Sequence, residues 1–360
     1  MANQVLHQVI VGAMIGDAIT DEALLIRRWL REAGYQSEIY AEAIHPALER
    51  EVRSWHTYRP GQGEARIIYH HSIGSQTVDR LLAWPPRLIL IYHNVTPPAF
   101  FASVNPALAR QMQLGREQLA TLRGRTDLAL ADSAYNAEEL RQAGFERTGV
   151  LPISLDPGRY AIPPNLELQA RFKDSGPLLL FVGRLVPNKK QEDLIKLLYF
   201  YRRIDPAARL LLAGDPWVPA YEQWLRELTV YLGLQEAVLF AGHITQADLV
   251  TYYGLADVYV SMSEHEGFGK PLIESMYLGL PVLAYAAAAV RGTLGEAGLL
   301  FRHKHYEALA EAVNLVVREA ALRERMIARQ RNWAEQFLEP AVKRTWRQLF
   351  DNGQLVPSAM

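Results

Sequence analysis

The folds open to this chain are limited most by a rhythm that runs through it. A short apolar run, a small loop and an amphipathic stretch follow one another, and the unit then repeats. VLHQVIVG (5–12) reads as a buried strand, ITDEALLIRRWLREAG (19–34) as a helix closed by Gly34, and YQSEIYA (35–41) as the next strand. Together they predict one βαβ unit. RIIYH (66–70), RLILIYH (87–93) and DLALAD (127–132) are further strands, with helices at 106–123 and 136–144. Such alternation predicts a parallel sheet covered by helices.

The rhythm breaks once. YAIPPNLELQARFKDSGP (160–177) is polar and proline-bearing, shows no clear period, and reads as a domain boundary. The pattern then resumes with strands at 178–183, 208–214, 237–242 and 256–263 and a helix at 220–233. Beyond about residue 305 the chain reads as helical as far as Phe350. The expectation is an α/β protein with two doubly wound Rossmann-like domains, 1–165 and 175–337, facing each other across a cleft, and a helical tail. A length of 360 residues suits two such domains. Ligands on open sheets of this kind bind beyond the carboxyl ends of the strands, so the residues just after each strand carry the functional information.

Composition excludes several classes. Lys and Arg total 38 against 39 Asp and Glu, which argues against broad nucleic-acid binding. With no cysteine, the chain has no disulfide scaffold, cysteine nucleophile or thiolate metal site, and it fits a reducing compartment. No run reaches the ~18 apolar residues of a membrane span. The first 20 residues lack the basic start and cleavage site of a signal peptide, so a cytoplasmic location is expected.

The most informative stretch is SEHEGFGKPLIESMYLGLPVLAY (263–285), which follows the strand ADVYVSMS. Pro271 suits the first position of a helix, so the loop EGFGK runs straight into a helix N-terminus. Gly267 and Gly269 permit a tight turn and close backbone approach, and the exposed N–H groups favour an anion. Glu266 and Glu274 can point into one pocket and accept hydrogen bonds from ribose or hexose hydroxyls. They can equally be a solvated loop residue and a dipole-stabilising one. FVGRLVPNKKQEDLI (181–195) places Arg184, Lys189 and Lys190 after another strand. Only seven of the chain's cations are lysines, and two of them adjoin here. They can grip a diphosphate or form a solvated basic turn.

In the first domain, His93 ends a strand and can hydrogen-bond a hydroxyl, carry a proton or serve the structure. GAMIGDA (12–18) offers Gly12 and Gly16, whose spacing is not a dinucleotide fingerprint, and Asp17, which can hold an acceptor hydroxyl or cap the following helix. His70–His71 and His303/His305 lack the spacing of paired metal ligands on one helical face, and no Asp-x-Asp, Walker loop, Gly-x-Gly-x-x-Gly or Gly-x-Ser-x-Gly occurs. No metal is expected. The helix 19–34 carries Arg27, Arg28 and Arg31 beside Trp29, which admits a peripheral contact with the inner membrane face; a core-facing helix is the preferred reading.

Taken in order, Val-Gly-Arg-Leu-Val-Pro-Asn-Lys, Ala-Asp-Val-Tyr-Val-Ser-Met-Ser, Glu-His-Glu-Gly-Phe-Gly-Lys-Pro-Leu-Ile-Glu, Gly-Leu-Pro-Val-Leu-Ala and Ala-Gly-Leu-Leu-Phe resemble the retaining glycosyltransferases of family 4 (glycosyl transferases group 1), with the GT-B fold. The likeness is strong over 180–320 and includes the family's Glu-x7-Glu as Glu266 and Glu274. The resemblance implies that Arg184 and Lys189 bind the donor diphosphate in place of a metal and that Glu274 holds the ribose. Glu266 would contact the transferred sugar, and Gly267, Phe268, Gly269 and Leu272 would line its pocket. His93 would face the sugar and Gly16 the phosphates, with Asp17 on the acceptor side. Where the family shows paired glycines, this chain reads Ile-Gly-Asp-Ala; Lys270 has no assigned role. The family's last helix crosses back onto the first domain, and 338–355 would do so here.

The implied activity is metal-independent, cofactor-free transfer of a hexose from a UDP-, GDP- or ADP-linked donor, with retention, to a saccharide or lipid-linked acceptor, as in surface polysaccharide synthesis. A double displacement needs a carboxylate nucleophile. The family's members lack a well-placed one, so same-face substitution is implied, with the leaving phosphate helping to deprotonate the acceptor. A sugar phosphorylase on the same fold and a non-catalytic sugar-nucleotide-binding module are the alternatives.

Overall fold

The computed structural model describes residues 4–60, 65–172 and 176–352. The chain divides into two units. One comprises 1–102, 106–154 and 339 onward; the other comprises 103–105 and 155–338. Residues 353–355 of the anticipated tail lie outside the described residues.

The first unit holds a seven-stranded, all-parallel sheet in the order β3-β2-β1-β4-β5-β6-β7. Its strands are β1 (Gln8–Ala13), β2 (Ile39–Ile44), β3 (Val52–Ser54), β4 (Arg66–His71), β5 (Arg87–Tyr92), β6 (Thr126–Ala131) and β7 (Thr148–Val150). The short strands β3 and β7 were not anticipated. Each has only three residues, too few for a period to show.

The helix Ala18–Glu32 starts at Asp17, whose carboxylate accepts from the Thr20 N–H at 3.1 Å, a standard N-cap. Its apolar face, with Ile26, Trp29 and Leu30, packs into one cluster with Ile68, Ile89 and Leu128 of the sheet and Val342, Trp346 and Phe350. Full burial of each such side chain stabilises by roughly 1.5–3 kcal/mol. Trp29 is therefore core rather than surface, and its Nε1–H donates to Glu339 at 3.0 Å. Arg27 pairs with Glu51, Arg28 with Glu339 and Arg31 with Glu38, all within this unit. The helix faces the core, and none among the described residues is long and apolar enough to cross a membrane. The last helix, Glu339–Asn352, belongs to this first unit.

The second unit holds a six-stranded parallel sheet ordered β10-β9-β8-β11-β12-β13. The strands are β8 (Leu178–Val182), β9 (Arg209–Ala213), β10 (Val238–Gly242), β11 (Val258–Ser261), β12 (Val282–Tyr285) and β13 (Leu299–Phe301). The last two, one at the end of the motif-rich stretch and one beyond it, went unassigned from sequence.

The division between the units falls at Ser154/Leu155, before the polar stretch 160–177 rather than inside it. Hydrogen bonding explains the difference. Leu155 N–H donates to the Phe337 carbonyl at 2.7 Å, and Asn165 bonds Thr251 and Asp248 at 2.7 and 2.8 Å. The stretch read as having no period contains a helix, Leu166–Phe172, which starts at Asn165 and buries Leu168 and Phe172 one turn apart.

In both sheets the strand order reverses direction, between β1 and β4 in the first and between β8 and β11 in the second. These reversals are the topological switch points at which open α/β sheets bind ligands. Gly16 and Asp17 follow β1, Arg184 and Lys189 follow β8, and Glu266 follows β11.

Candidate active site

In the second unit, two loops after neighbouring strands are tied together. Glu264 N–H donates to the Asn188 carbonyl at 2.8 Å, and Asn188 Nδ2–H donates to the His265 carbonyl at 3.0 Å. Asn188 is buried, and this stitching brings the cations of one loop to the carboxylates of the other. Lys189 pairs with Glu266. Lys190, held in the left-handed region at φ 55°, lies 3.5 Å from Glu192 and 3.4 Å from Glu264. Glu264 also meets Lys304 at 2.9 Å, and Lys304 reaches Asp193 at 2.7 Å. Three of the seven lysines thus sit in one carboxylate network, with Lys196 3.3 Å from Asp193, and Lys189 forms its own pair with Glu266 nearby in the same two loops. Their side chains are not a solvated turn, since Lys189 and Lys190 keep only 20% and 26% of their exposure. Burial opposes the charge on Lys190, and Glu192 and Glu264 more than offset it, holding its pKa above the ordinary value.

Arg184 stacks over the Trp217 ring at 4.8 Å, a planar contact that fixes the guanidinium. The strand ends beneath are close: a Cβ on Gly214 would lie 2.1 Å from the Gly183 carbonyl oxygen, so only glycine fits there. The loop 263–269 ends at Gly269, φ 89°, and the helix Lys270–Leu278 starts immediately, with Pro271 in its first turn. No side chain caps its amino terminus, an arrangement suited to an anion. Phe268 and Leu272 are buried; Thr293 Oγ1–H donates to the Phe268 carbonyl at 2.6 Å, and Ala289 N–H donates to that of Glu266 at 3.2 Å. Gly267 and Lys270 are half-buried beside them.

Glu274 is buried on the same helix, and each of its oxygens has its own phenol. Tyr160 donates to Oε1 at 2.6 Å and Tyr253 to Oε2 at 2.7 Å. Neither tyrosine was picked out from sequence. They lie 114 and 21 residues away, where no spacing rule reaches.

In the first unit, His93 ends a buried polar chain. Its Nδ1 lies 3.0 Å from Asp132 and 3.5 Å from Glu22. Its Nε2 lies 2.9 Å from His70 Nδ1; His70 Nε2 in turn meets Gln8 Oε1 at 3.0 Å, and Gln8 donates to the Ala23 carbonyl at 2.9 Å. Burial works against the charge on His93, but Asp132 and then Glu22 outweigh it and raise its pKa to about 9. Burial and the neighbouring His93 cation push His70 well below the ordinary value. His93 thus carries both ring protons, giving Nδ1–H to Asp132 and Nε2–H to His70, and from His70 the donors run on through Gln8 to the Ala23 carbonyl. A substrate reaching either ring nitrogen of His93 must exchange one of these partners.

Glu22, His70 and His93 bring three ligand-type atoms within 4.8 Å, the one such group among the described residues. Two nitrogens on a tetrahedral ion with bonds of about 2.0–2.1 Å sit about 3.3 Å apart. The 2.9 Å separation here suits a shared proton better. Gly16, at φ 74°, leaves open space where a side chain would stand, and Asp17 caps the helix. Sequence reading set His70 aside and missed Asp132 and Glu22, because each matters only through its position beside His93.

Residues 165–333 match the family model described as glycosyl transferases group 1. Among curated relatives, a D-inositol 3-phosphate glycosyltransferase of Thermomonospora curvata is 32% identical over 60% of this chain and 54% of its own. A GDP-mannose-dependent alpha-(1-6)-phosphatidylinositol monomannoside mannosyltransferase of Mycobacterium tuberculosis is 27% identical over 56% of this chain and 55% of its own. The chain thus spans about half the length of these relatives. Among solved structures, Anabaena HepE in complex with UDP-glucose superposes with a TM-score of 0.77 at 18% identity, over 98% of this chain and 100% of that one.

Proposed function

We propose, from the premise that residues 165–333 belong to the glycosyl transferases group 1 family and that both units carry the GT-B fold, that this chain is a glycosyltransferase using a nucleotide-diphosphate sugar. The observation that carries the reading is the stitched pair of loops after β8 and β11, which sets Lys189 against Glu266 in the loop that leads into a helix amino terminus.

The donor is a hexose on UDP, GDP or ADP. UDP-glucose in the HepE structure and GDP-mannose in the mannosyltransferase's name support a nucleotide sugar in general. Arg184 and Lys189 take the diphosphate, with Lys189 exchanging Glu266 for a phosphate oxygen and so neutralising the leaving group. Released from the lysine, Glu266 accepts from the sugar hydroxyls. Glu274 accepts from the ribose, and Gly267, Phe268, Gly269 and Leu272 supply backbone and apolar walls. The chain contains no Asp-x-Asp, and fixed cations do the electrostatic work, so transfer proceeds without a metal ion or other cofactor.

Substitution takes place on the face from which the diphosphate leaves, and the departing phosphate accepts the acceptor's proton, so the anomeric configuration is retained. The acceptor is a hydroxyl of a saccharide or lipid-linked sugar in surface polysaccharide synthesis, met on the side of Asp17, with the chain in the cytoplasm and in contact with the inner membrane face where the acceptor is lipid-linked.

The test is release of nucleoside diphosphate from UDP-, GDP- and ADP-hexoses, with EDTA present, across a panel of saccharide and lipid-linked acceptors, with product anomers assigned by NMR. Retained configuration and an EDTA-insensitive rate are expected. No release from any donor, or inverted product, overturns the reading.

A further inference from the structure

Glu274 is an unusual carboxylate in that it is buried, carries no cationic partner among the ion pairs of the described residues, and is held by two phenols from opposite directions in the sequence. We propose that Tyr160 and Tyr253 are positioning residues that lock the Glu274 carboxylate in the one orientation able to receive both hydroxyls of a ribose. This rests on the nucleotide-sugar reading above.

The geometry carries the argument. A carboxylate oxygen has two lone pairs, and each oxygen here gives one to a phenol, at 2.6 and 2.7 Å. One lone pair on each oxygen is left, a matched pair of acceptors suited to a vicinal diol. A glutamate free to rotate about its side-chain torsions would have to give up that freedom on binding. Two phenols that fix the plane beforehand remove that loss.

Both phenols are themselves fixed. Tyr253 is buried on the helix Gln246–Leu255. Burial and the Glu274 charge raise its pKa well above the usual value, so it donates throughout the working pH range. Tyr160 lies outside the residues matched to the family model and ends a turn in which its N–H donates to the Pro157 carbonyl at 3.1 Å. Its ring packs against Tyr277 at 6.3 Å, and the preceding Arg159 carbonyl accepts from Gln246 at 3.0 Å. The connector after Leu155 therefore contributes a side chain to the donor site.

The experiment compares ribose discrimination in the full chain and in Tyr160→Phe, Tyr253→Phe and Glu274→Gln. Calorimetry measures UDP and GDP, their 2′,3′-dideoxy counterparts and inorganic pyrophosphate. The wild type should bind the tighter ribonucleotide at least ~10-fold better than its dideoxy form, since a site built for hydroxyls rejects their absence. Each Tyr→Phe variant should bring that ratio below ~3 and leave pyrophosphate affinity within ~2-fold. A purely structural role would lower the unfolding midpoint and leave the ratio intact. An unchanged ratio in either folded tyrosine variant overturns the proposal, as does a wild type that binds nucleotides without regard to the hydroxyls. Should Tyr253→Phe lose its cooperative unfolding transition, Tyr160→Phe decides the matter. A wild type that binds no nucleotide at all fails the function reading itself, which is a distinguishable result.

Discussion

Lys189 and Glu266 are partners across 77 residues of sequence, one from the loop after β8 and the other from the loop after β11. The pair spans the switch point of the second sheet, where a ligand would enter. Neither side chain is fully withdrawn from water, at 20% and 12% exposure, so exchange of partners on ligand binding needs no unfolding.

Lys189→Ala removes the cation that meets the leaving phosphate. Turnover of the best nucleotide sugar should fall by about 10²-fold or more, in keeping with loss of one preorganised electrostatic partner. Glu266 is left without its partner in a part-buried place, so urea unfolding should show a loss of about 1–3 kcal/mol. Wild-type turnover in the variant would remove Lys189 from the site.

Protonation of His93 links stability to pH. Its folded value of about 9 lies above the ordinary histidine value, so its contribution is complete below about pH 6.5 and is lost as pH rises through 9. The first unit should lose up to about 3 kcal/mol across that interval. His70 and His71 act in the opposite sense: burial lowers both, His71 to about 4, so stability falls as pH drops below about 6.5. Chemical denaturation from pH 5 to pH 10 should reveal both slopes, and Asp132→Asn should flatten the alkaline one.

Gly269→Ala puts a side chain at φ 89°, with its Cβ 2.8 Å from Leu272 Cδ1. A loss of about 1–2 kcal/mol is expected from the backbone conformation alone. The helix amino terminus beside it should shift as well. Donor affinity, read by calorimetry, should fall along with the unfolding midpoint.

Trp346→Ala empties the place where the last helix meets Trp29 at 6.1 Å and Phe350 at 4.4 Å. A large-to-small change in this cluster should cost about 3–5 kcal/mol, and it should fall on the first unit. Hydrogen exchange should locate the loss in β1, β4 and β5 and leave β8 to β11 protected.

The alternation of apolar runs was enough to place most strands, because a strand buried on both faces by helices has to be apolar throughout. Strands of three residues and the helix Leu166–Phe172 offered too few positions for a pattern. In the site, residues that follow strands could be picked out, because parallel topology itself sends them to one edge. The partners of those residues could not. Tyr160 and Tyr253 on Glu274, Asp132 and His70 on His93, and Asn188 between the loops are brought together by packing, and nothing local in their segments marks them. The scarcity of lysine was a usable signal: Lys190, Lys196 and Lys304 converge on a single network, and Lys189 pairs with Glu266 in the adjoining loop.

The first unit is assembled from both sides of the second, since the chain leaves it at Ser154 and rejoins it at Glu339. Order of synthesis therefore runs against order of completion. The strands of the first unit, made before the second, wait with the face that receives Val342, Trp346 and Phe350 uncovered while some 180 residues of the second unit are made. The second unit has all of its own residues by Leu338 and can close its core at that point. The helix Glu339–Asn352, made after the whole of the second unit, is what seals the first.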